Sequence, residues 1–191
     1  MWGELVIDSL KRPRLAARRI LGLDLPADTL VQAATLVACG GTLLFYLAAR
    51  VVPPPADAEF AAFVRRPLLA TVLNLVQLGL MAALATWVGR LFGGVGSLAG
   101  ATALVVWYNL VSLLLLALLL LAIVVLPPLG IVLAFAFCLW MVWVPANFVA
   151  ELHSFQNAAV VFAGLLLTLL ALFIVLNLAF MLLGLAPAEG V

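Results

Sequence analysis

Charged residues are scarce in this chain of 191 residues, with 9 Lys and Arg, 8 Asp and Glu, and a net charge of +1. Soluble globular domains are about 25% charged and about 45–50% apolar, whereas this sequence is 9% charged and 68% hydrophobic. This composition excludes a domain that folds in water, and the even charge balance gives no signature of nucleic-acid binding. We therefore predict an integral membrane protein.

Groups that carry chemistry are equally rare, since the chain has one histidine, His153, and two cysteines, Cys39 and Cys138. One histidine falls short of the roughly three or four ligands of a zinc site. No dinucleotide, phosphate-loop or hydrolase motif is present. The cysteines lie in apolar stretches, so we expect buried free thiols rather than a disulfide. We predict no catalytic residue, cofactor or metal, and no enzyme activity.

Long runs without charge predict the membrane spans, because a helix needs about 20 apolar residues to cross a hydrocarbon core of ~30 Å. The runs lack the alternation of barrel strands. They lie at residues 29–50, 67–89, 104–126, 129–150 and 158–185. We predict an all-α polytopic membrane protein. Its five-transmembrane-helix bundle occupies residues 29–186, between an N-terminal amphipathic interfacial helix segment (1–28) and a short tail (187–191).

Prolines and glycines divide the longest charge-free stretch. The Pro-Pro pair at 127–128 predicts a tight antiparallel hairpin. Pro145 lies inside the fourth span, where it leaves the carbonyl of Met141 without its usual helical partner and predicts a kink. Gly96 and Gly100 are four residues apart, a spacing that lets helix backbones approach closely. We predict a helix-packing role for this pair; internal packing, a flexible loop and dimerisation all remain open.

The N-terminal segment carries five of the nine basic residues. Its apolar residues recur at helical spacing, a pattern typical of a helix that lies in the headgroup layer. Each basic side chain near an anionic surface contributes about 1 kcal/mol. The residues of this predicted membrane-surface or partner-binding site are Trp2, Lys11, Arg12, Arg14, Arg18 and Arg19. The alternative is that the charges only set topology.

The same charges predict the orientation by the positive-inside rule. The N-terminal cluster and Arg90 put six basic residues on one side, whereas Arg50, Arg65 and Arg66 put three on the other. We expect a cytoplasmic N-terminus and, after five spans, a periplasmic C-terminus. Arginine in great excess over lysine is typical of high-GC bacteria, so the membrane would be a bacterial inner membrane.

Five amides lie within the predicted spans. They are Asn74, Gln77, Asn109, Asn147 and Asn177. Polar side chains at membrane depth tend to face the bundle interior, where they either fasten helices together or line a path. No carboxylate lies at mid-depth in any span, which favours the fastening role. A small-molecule or lipid transporter is the alternative function.

Glu151 and His153 form a polar cluster where the fourth span ends, on the predicted cytoplasmic side. Asn147 and Glu151 are four residues apart and share a helix face if the helix continues past Pro145. The cluster is either a capped helix end among headgroups or a polar binding site. A membrane enzyme that uses Glu151 and His153 is the least favoured hypothesis.

Two stretches resemble the YIP1 family (Yip1-domain integral membrane proteins), particularly its short bacterial members. They are Lys-Arg-Pro-Arg-Leu-Ala-Ala-Arg-Arg-Ile-Leu at 11–21 and Asn-Phe-Val-Ala-Glu-Leu-His-Ser-Phe-Gln at 147–156. The resemblance implies a five-helix bundle with its N-terminus in the cytosol. Eukaryotic relatives act in vesicle trafficking and associate with Rab-type GTPases. Their long cytosolic region and Asp-Leu-Tyr-Gly-Pro-like signature are missing here, so we do not carry the GTPase role over.

These patterns together predict a non-enzymatic protein that organises, or is an accessory to, another membrane assembly. A scaffold or trafficking-like role is what the resemblance implies. The expected partners are anionic lipid headgroups at the N-terminus and either another membrane protein or a second copy of the chain. Nucleic acid is not an expected partner.

Overall fold

The computed structural model describes residues 2–51, 66–157, 159–164, 166–167, 170, 174–175 and 177. Within these ranges every regular element is helical. The helices are α1 (Trp2–Lys11), α2 (Pro13–Leu21), α3 (Ala27–Val51), α4 (Pro67–Leu91), α5 (Leu98–Val125) and α6 (Pro127–Leu152). The prediction of an all-α protein is confirmed for this part of the chain.

Proline sets the start of three helices. Pro13, Pro67 and Pro127 each occupy the beginning of a helix, where the missing N–H would have no intrahelical partner. Arg12 separates α1 from α2 because the residue before a proline is pushed out of the helical region. At the start of α5, the Ser97 hydroxyl accepts a hydrogen bond from the Gly100 N–H at 3.1 Å. This cap starts the helix at Leu98, six residues before the predicted start at residue 104.

Four helices, α3 to α6, are long and apolar enough to cross a membrane. The membrane-protein prediction is therefore confirmed, and four of the five predicted spans are found among the described residues. The fifth predicted span, 158–185, lies largely outside the described residues, as does the tail at 187–191. The residues described within that fifth span, including 159–164, are helical.

Helix α5 is central, because it packs against α3, α4 and α6. Ala34 and Ala38 of α3 face Leu78 of α4 and Val106 of α5 in one buried cluster. Small residues at such an interface let the helix axes approach closely. Helices α5 and α6 form the predicted hairpin, with only Leu126 between them.

The outer surface of the bundle is apolar. Leu36 is 74% exposed and Ile131 is 73% exposed, which suits a surface whose solvent is lipid. Cys39 and Cys138 are also exposed, so the expectation of buried thiols is wrong. Lipid acyl chains tolerate a thiol as readily as a protein core does. An apolar sequence context therefore does not tell whether a cysteine faces lipid or is buried in the protein.

Pro145 lies within α6, which continues through it. The Tyr108 hydroxyl of α5 donates to the Met141 carbonyl of α6 at 3.1 Å. This is the carbonyl that Pro145 deprives of its usual N–H donor. The Tyr108 ring also stacks on Trp140, with centroids 5.3 Å apart. A neighbouring helix thus supplies the missing hydrogen bond, which is how interior prolines are tolerated in spanning helices.

Candidate functional site: a basic helix pair on the bundle

Helices α1 and α2 pack on one end of the bundle, the end at which α3 and α5 begin and α4 and α6 finish. We call this the proximal end. Leu5, Ala17 and Ile20 are buried there in one cluster with Phe148 and Leu152 of α6. Much of the apolar stripe that predicted a helix in the headgroup layer therefore packs on protein. Trp2, Ile7 and Leu10 remain exposed.

A buried hydrogen-bond chain ties α1 to α5. The Ser9 hydroxyl, 1% exposed, donates to the Leu5 carbonyl at 2.8 Å and accepts from the Trp107 indole N–H at 2.8 Å. The Trp2 ring stacks on Trp107, with centroids 6.0 Å apart. Ser9 and Trp107 were not among the predicted site residues. An isolated serine within an amphipathic stripe gives no sequence signal that it has a partner 98 residues away.

The basic residues of α2 make polar contacts with α1 and with the end of α6. The Arg18 guanidinium donates to the Glu151 carboxylate at 2.9 Å, and this contact raises the pKa of Arg18 above its ordinary value. The Arg14 guanidinium donates to the Phe155 carbonyl at 2.9 Å. Arg19 pairs with the Asp8 carboxylate of α1. The contacts of Arg14 and Arg18 attach the helix pair to the bundle by a polar edge as well as by an apolar face, and the Arg19–Asp8 pair joins α2 to α1.

A shallow depression of about 390 Å³ lies between the first turn of α2 and helix α6. The residues that line it are Arg12, Pro13, Arg14, Leu15, Arg18 and Asn147. Three arginines therefore border one concavity, and the wall on α6 is formed by Asn147, a residue that is 5% exposed. Of the predicted surface residues, Arg12, Arg14 and Arg18 lie together here, whereas Trp2, Lys11 and Arg19 lie outside it.

His153 is buried at the proximal end, at 3% exposure, and joins three elements. Its Nδ1 accepts from the Gly96 N–H at 3.0 Å, and its Nε2 lies 2.9 Å from the Ala85 carbonyl of α4. Because Nδ1 accepts, the ring proton must be on Nε2, which donates to that carbonyl. The histidine is thus a neutral bridge between the end of α6, the end of α4 and the α4–α5 connection.

Three glycines make room for this imidazole. A methyl group added at Gly89, Gly94 or Gly96 would overlap the His153 ring. The predicted packing pair is therefore divided between two tasks: Gly96 faces the histidine, and Gly100 faces Leu21 of α2 and Leu152 of α6. Both contacts lie within the chain. Gly89 and Gly94 were missed by the sequence analysis, although glycines at 89, 94 and 96 give a signal of crowding.

Glu151 and His153 are neighbours in sequence but have different partners. Glu151 pairs with Arg18, and both ring nitrogens of His153 bond to backbone groups. In the part of the chain that the structure describes, no group of three His, Cys, Asp or Glu residues could hold a metal ion. Among the described residues, the side-chain contacts of this pair join different elements, and none of them joins the Glu151 carboxylate to the His153 ring.

The predicted intramembrane amides do not converge. Asn109 and Asn147 each donate to the carbonyl four residues earlier on their own helix, at 2.8 Å. Asn74 bridges helices, since its amide donates to the Thr42 hydroxyl of α3 at 3.0 Å. Gln77 and Asn177 are exposed. Asn74 therefore makes a hydrogen bond between spans, whereas Asn109 and Asn147 do not, and Asn147 belongs to the basic depression.

Comparison with known proteins identifies the family. The family model of the Yip1 domain matches residues 7–179, which includes the second half of α1 and all of α2 to α6. No curated protein and no solved structure matches the chain. The match includes α2, the second half of α1 and the buried His153, so these features belong to the domain. With four apolar helices in its described part that are long enough to span a membrane, the chain belongs to the Yip1 family of membrane proteins.

Proposed function

We propose that this protein is a non-enzymatic accessory or scaffold that organises another membrane assembly. The observation that supports it is the α1–α2 pair, which is fixed to the proximal end and presents exposed basic and apolar residues there. Several of the described polar groups at this end, including Arg14, Arg18 and His153, are used for attachment between elements of the chain. A surface built in this way suits binding to something outside the chain.

The proximal end is the cytoplasmic end in this proposal. Lys11, Arg12 and the basic residues of α2 all belong to it, as does Arg90, whose Nε donates to the Gly96 carbonyl at 3.0 Å. Positive charge in short connections favours the cytoplasmic side. In a bacterial inner membrane with five spans, the C-terminus would then be periplasmic.

The proposed partners are anionic headgroups and either another membrane protein or a second copy of the chain. Helix α5 has 28 residues, about 8 more than a hydrocarbon core requires. Trp107 lies nine residues into α5, a depth that suits the interfacial position favoured by tryptophan. Helix α1 contacts Trp107 at this depth, where Trp2, Ile7 and Leu10 can meet lipid or a partner helix.

Crosslinking in native membranes, followed by purification in mild detergent, tests the proposal. The full chain should be recovered with a stoichiometric partner or as a homo-oligomer. The Ile7→Ser, Leu10→Ser variant should lose most of that complex, because it removes exposed apolar residues of α1. The matched control is Leu36→Ser, Leu43→Ser, which changes exposed leucines of α3. A wild-type chain that is recovered as a monomer without a partner contradicts the proposal.

The alternative of a transporter has less support. A path would need polar groups that face a common space, but Asn109 and Asn147 bond to their own helices and Gln77 is exposed. Reconstitution into liposomes distinguishes the two functions. Solute or lipid flux that Asn109→Leu abolishes would favour transport over the accessory role.

A further inference from the structure

The basic depression between α2 and α6 is more than a charged surface, because hydrogen bonds orient two of its three arginines, Arg14 and Arg18, beside a concavity. We infer that it binds a phosphate group, carried either by a lipid headgroup or by a small soluble phosphate ester. The inference uses the surface assigned above to headgroups but does not require the accessory role. A chain with no protein partner would leave it intact.

The three guanidinium groups have donors to spare. A guanidinium presents several N–H donors in a planar fork that matches phosphate oxygens. The structure uses one bond of Arg14, to the Phe155 carbonyl, and one bond of Arg18, to Glu151. The Arg12 side chain makes no hydrogen bond or ion pair with any described residue. These contacts orient Arg14 and Arg18 and leave Arg12 entirely available.

Helix geometry adds positive potential at the same place. The depression is lined by the first residues of α2, and no side chain caps this helix start. The start of a helix carries partial positive charge and favours an anion. The positive charges of the three arginines do not depend on this helix effect, and they favour an anion at the same concavity.

The opposite wall is fixed and neutral. Asn147 is 5% exposed, and its amide donates to the Trp143 carbonyl at 2.8 Å, so the side chain is held against α6. Glu151 is the acidic group in contact with the cluster, through Arg18. Three guanidinium groups against one carboxylate leave a positive site for a phosphate, which would compete with Glu151 for Arg18.

Calorimetric titration of the purified full chain in a non-ionic maltoside detergent tests the site. Dihexanoyl phosphatidate is the lipid probe, and glycerol 3-phosphate carries the same phosphate ester without acyl chains. Dihexanoylglycerol, which lacks phosphate, controls for binding to the micelle. Tighter binding of phosphatidate than of glycerol 3-phosphate identifies a lipid headgroup site, and equal affinity identifies a site for a soluble ester. Phosphate probes that bind no better than dihexanoylglycerol overturn the inference.

Substitution of two adjacent basic residues, one at a time, distinguishes a defined phosphate site from a diffuse positive surface. Arg12→Gln should weaken phosphate binding about tenfold or more, as expected for a lost charge-assisted bond. Lys11→Gln removes the same charge one residue away but does not border the depression, so it should change affinity less than about twofold. Equal losses in the two variants would mean a diffuse basic surface and would overturn the inference. Neither side chain is buried, so both variants should fold.

Discussion

The proximal end and the membrane-embedded interior of the bundle use hydrogen bonds differently. At the proximal end, side-chain bonds join distant elements, as in Trp107 to Ser9 and Gly96 to His153. In the interior, most polar side chains bond to their own helix, as Asn109 does to the Val105 carbonyl. A spanning helix satisfies its own backbone, so in lipid its polar side chains have little else to join.

This difference indicates where the fold is specified. Apolar packing of helices in lipid is permissive, since lipid tails compete with any apolar neighbour. Directional contacts at the proximal end fix α1, α2 and the α4–α5 connection to one arrangement. One interior side chain that does bond across helices is Tyr108, whose hydroxyl donates to the Met141 carbonyl that lacks a helical donor because of Pro145. Substitutions at the proximal end should therefore cost more stability than similar ones in the interior.

The largest expected effect is that of Gly89→Ala. The added methyl group would overlap the buried His153 ring, and overpacking of a fixed site costs about 3 kcal/mol. Gly79→Ala is the matched control, since it lies on the same helix and its added methyl group meets nothing within 4 Å. Unfolding by denaturing detergent, followed by circular dichroism, measures both free energies of unfolding.

A second-site change tests the cause of that loss. If the clash with His153 is responsible, Gly89→Ala should cost little when it is introduced into a His153→Ala protein. Equal losses in the two backgrounds would place the effect in the backbone of α4, and the histidine bridge would then not explain the need for glycine.

His153→Ala itself should cost about 2 kcal/mol, because it leaves the Gly96 N–H and the Ala85 carbonyl without their partner. His153→Asn offers one donor and one acceptor on a shorter side chain and should recover part of the loss. The same unfolding measurement applies. A fully stable His153→Ala protein would show that the three elements are held together by apolar packing alone.

Tyr108→Phe should cost about 1 kcal/mol by removing the hydroxyl that bonds to the Met141 carbonyl. Tyr46→Phe is the control, because the buried Tyr46 hydroxyl has no hydrogen-bond partner among the described residues and its loss should not destabilise the protein. Restoring a helical donor with Pro145→Ala should make Tyr108→Phe nearly neutral. If Tyr108→Phe and Tyr46→Phe are equally stable, the bond from Tyr108 to the Met141 carbonyl does not stabilise the protein, and the explanation of this interior exception by Pro145 is wrong.

Sequence was sufficient for the four described spans and the hairpin but not for the proximal end. Charge-free runs report the solvent of a helix directly, so α3 to α6 follow from hydropathy. The contacts of Ser9 with Trp107 and of His153 with Gly96 join residues 98 and 57 positions apart, and no local pattern encodes such pairs. The amphipathic stripe of α1 and α2 was visible, but a stripe that packs on protein has the same pattern as one that lies in lipid.

The smallest expected effect is at the Arg18–Glu151 pair, although it is a proximal contact. The Arg18 side chain is 71% exposed and that of Glu151 is 17% exposed, and exposed ion pairs contribute little to stability. Arg18→Gln and Glu151→Gln should leave the melting temperature in low salt almost unchanged, and any difference from wild type should vanish in high salt. The contrary result is a lower melting temperature in both variants that persists in high salt, with no further loss when the two changes are combined. It would mean that this pair anchors α2 as firmly as the buried contacts do. Location at the proximal end, rather than burial, would then decide how much a hydrogen bond stabilises the protein.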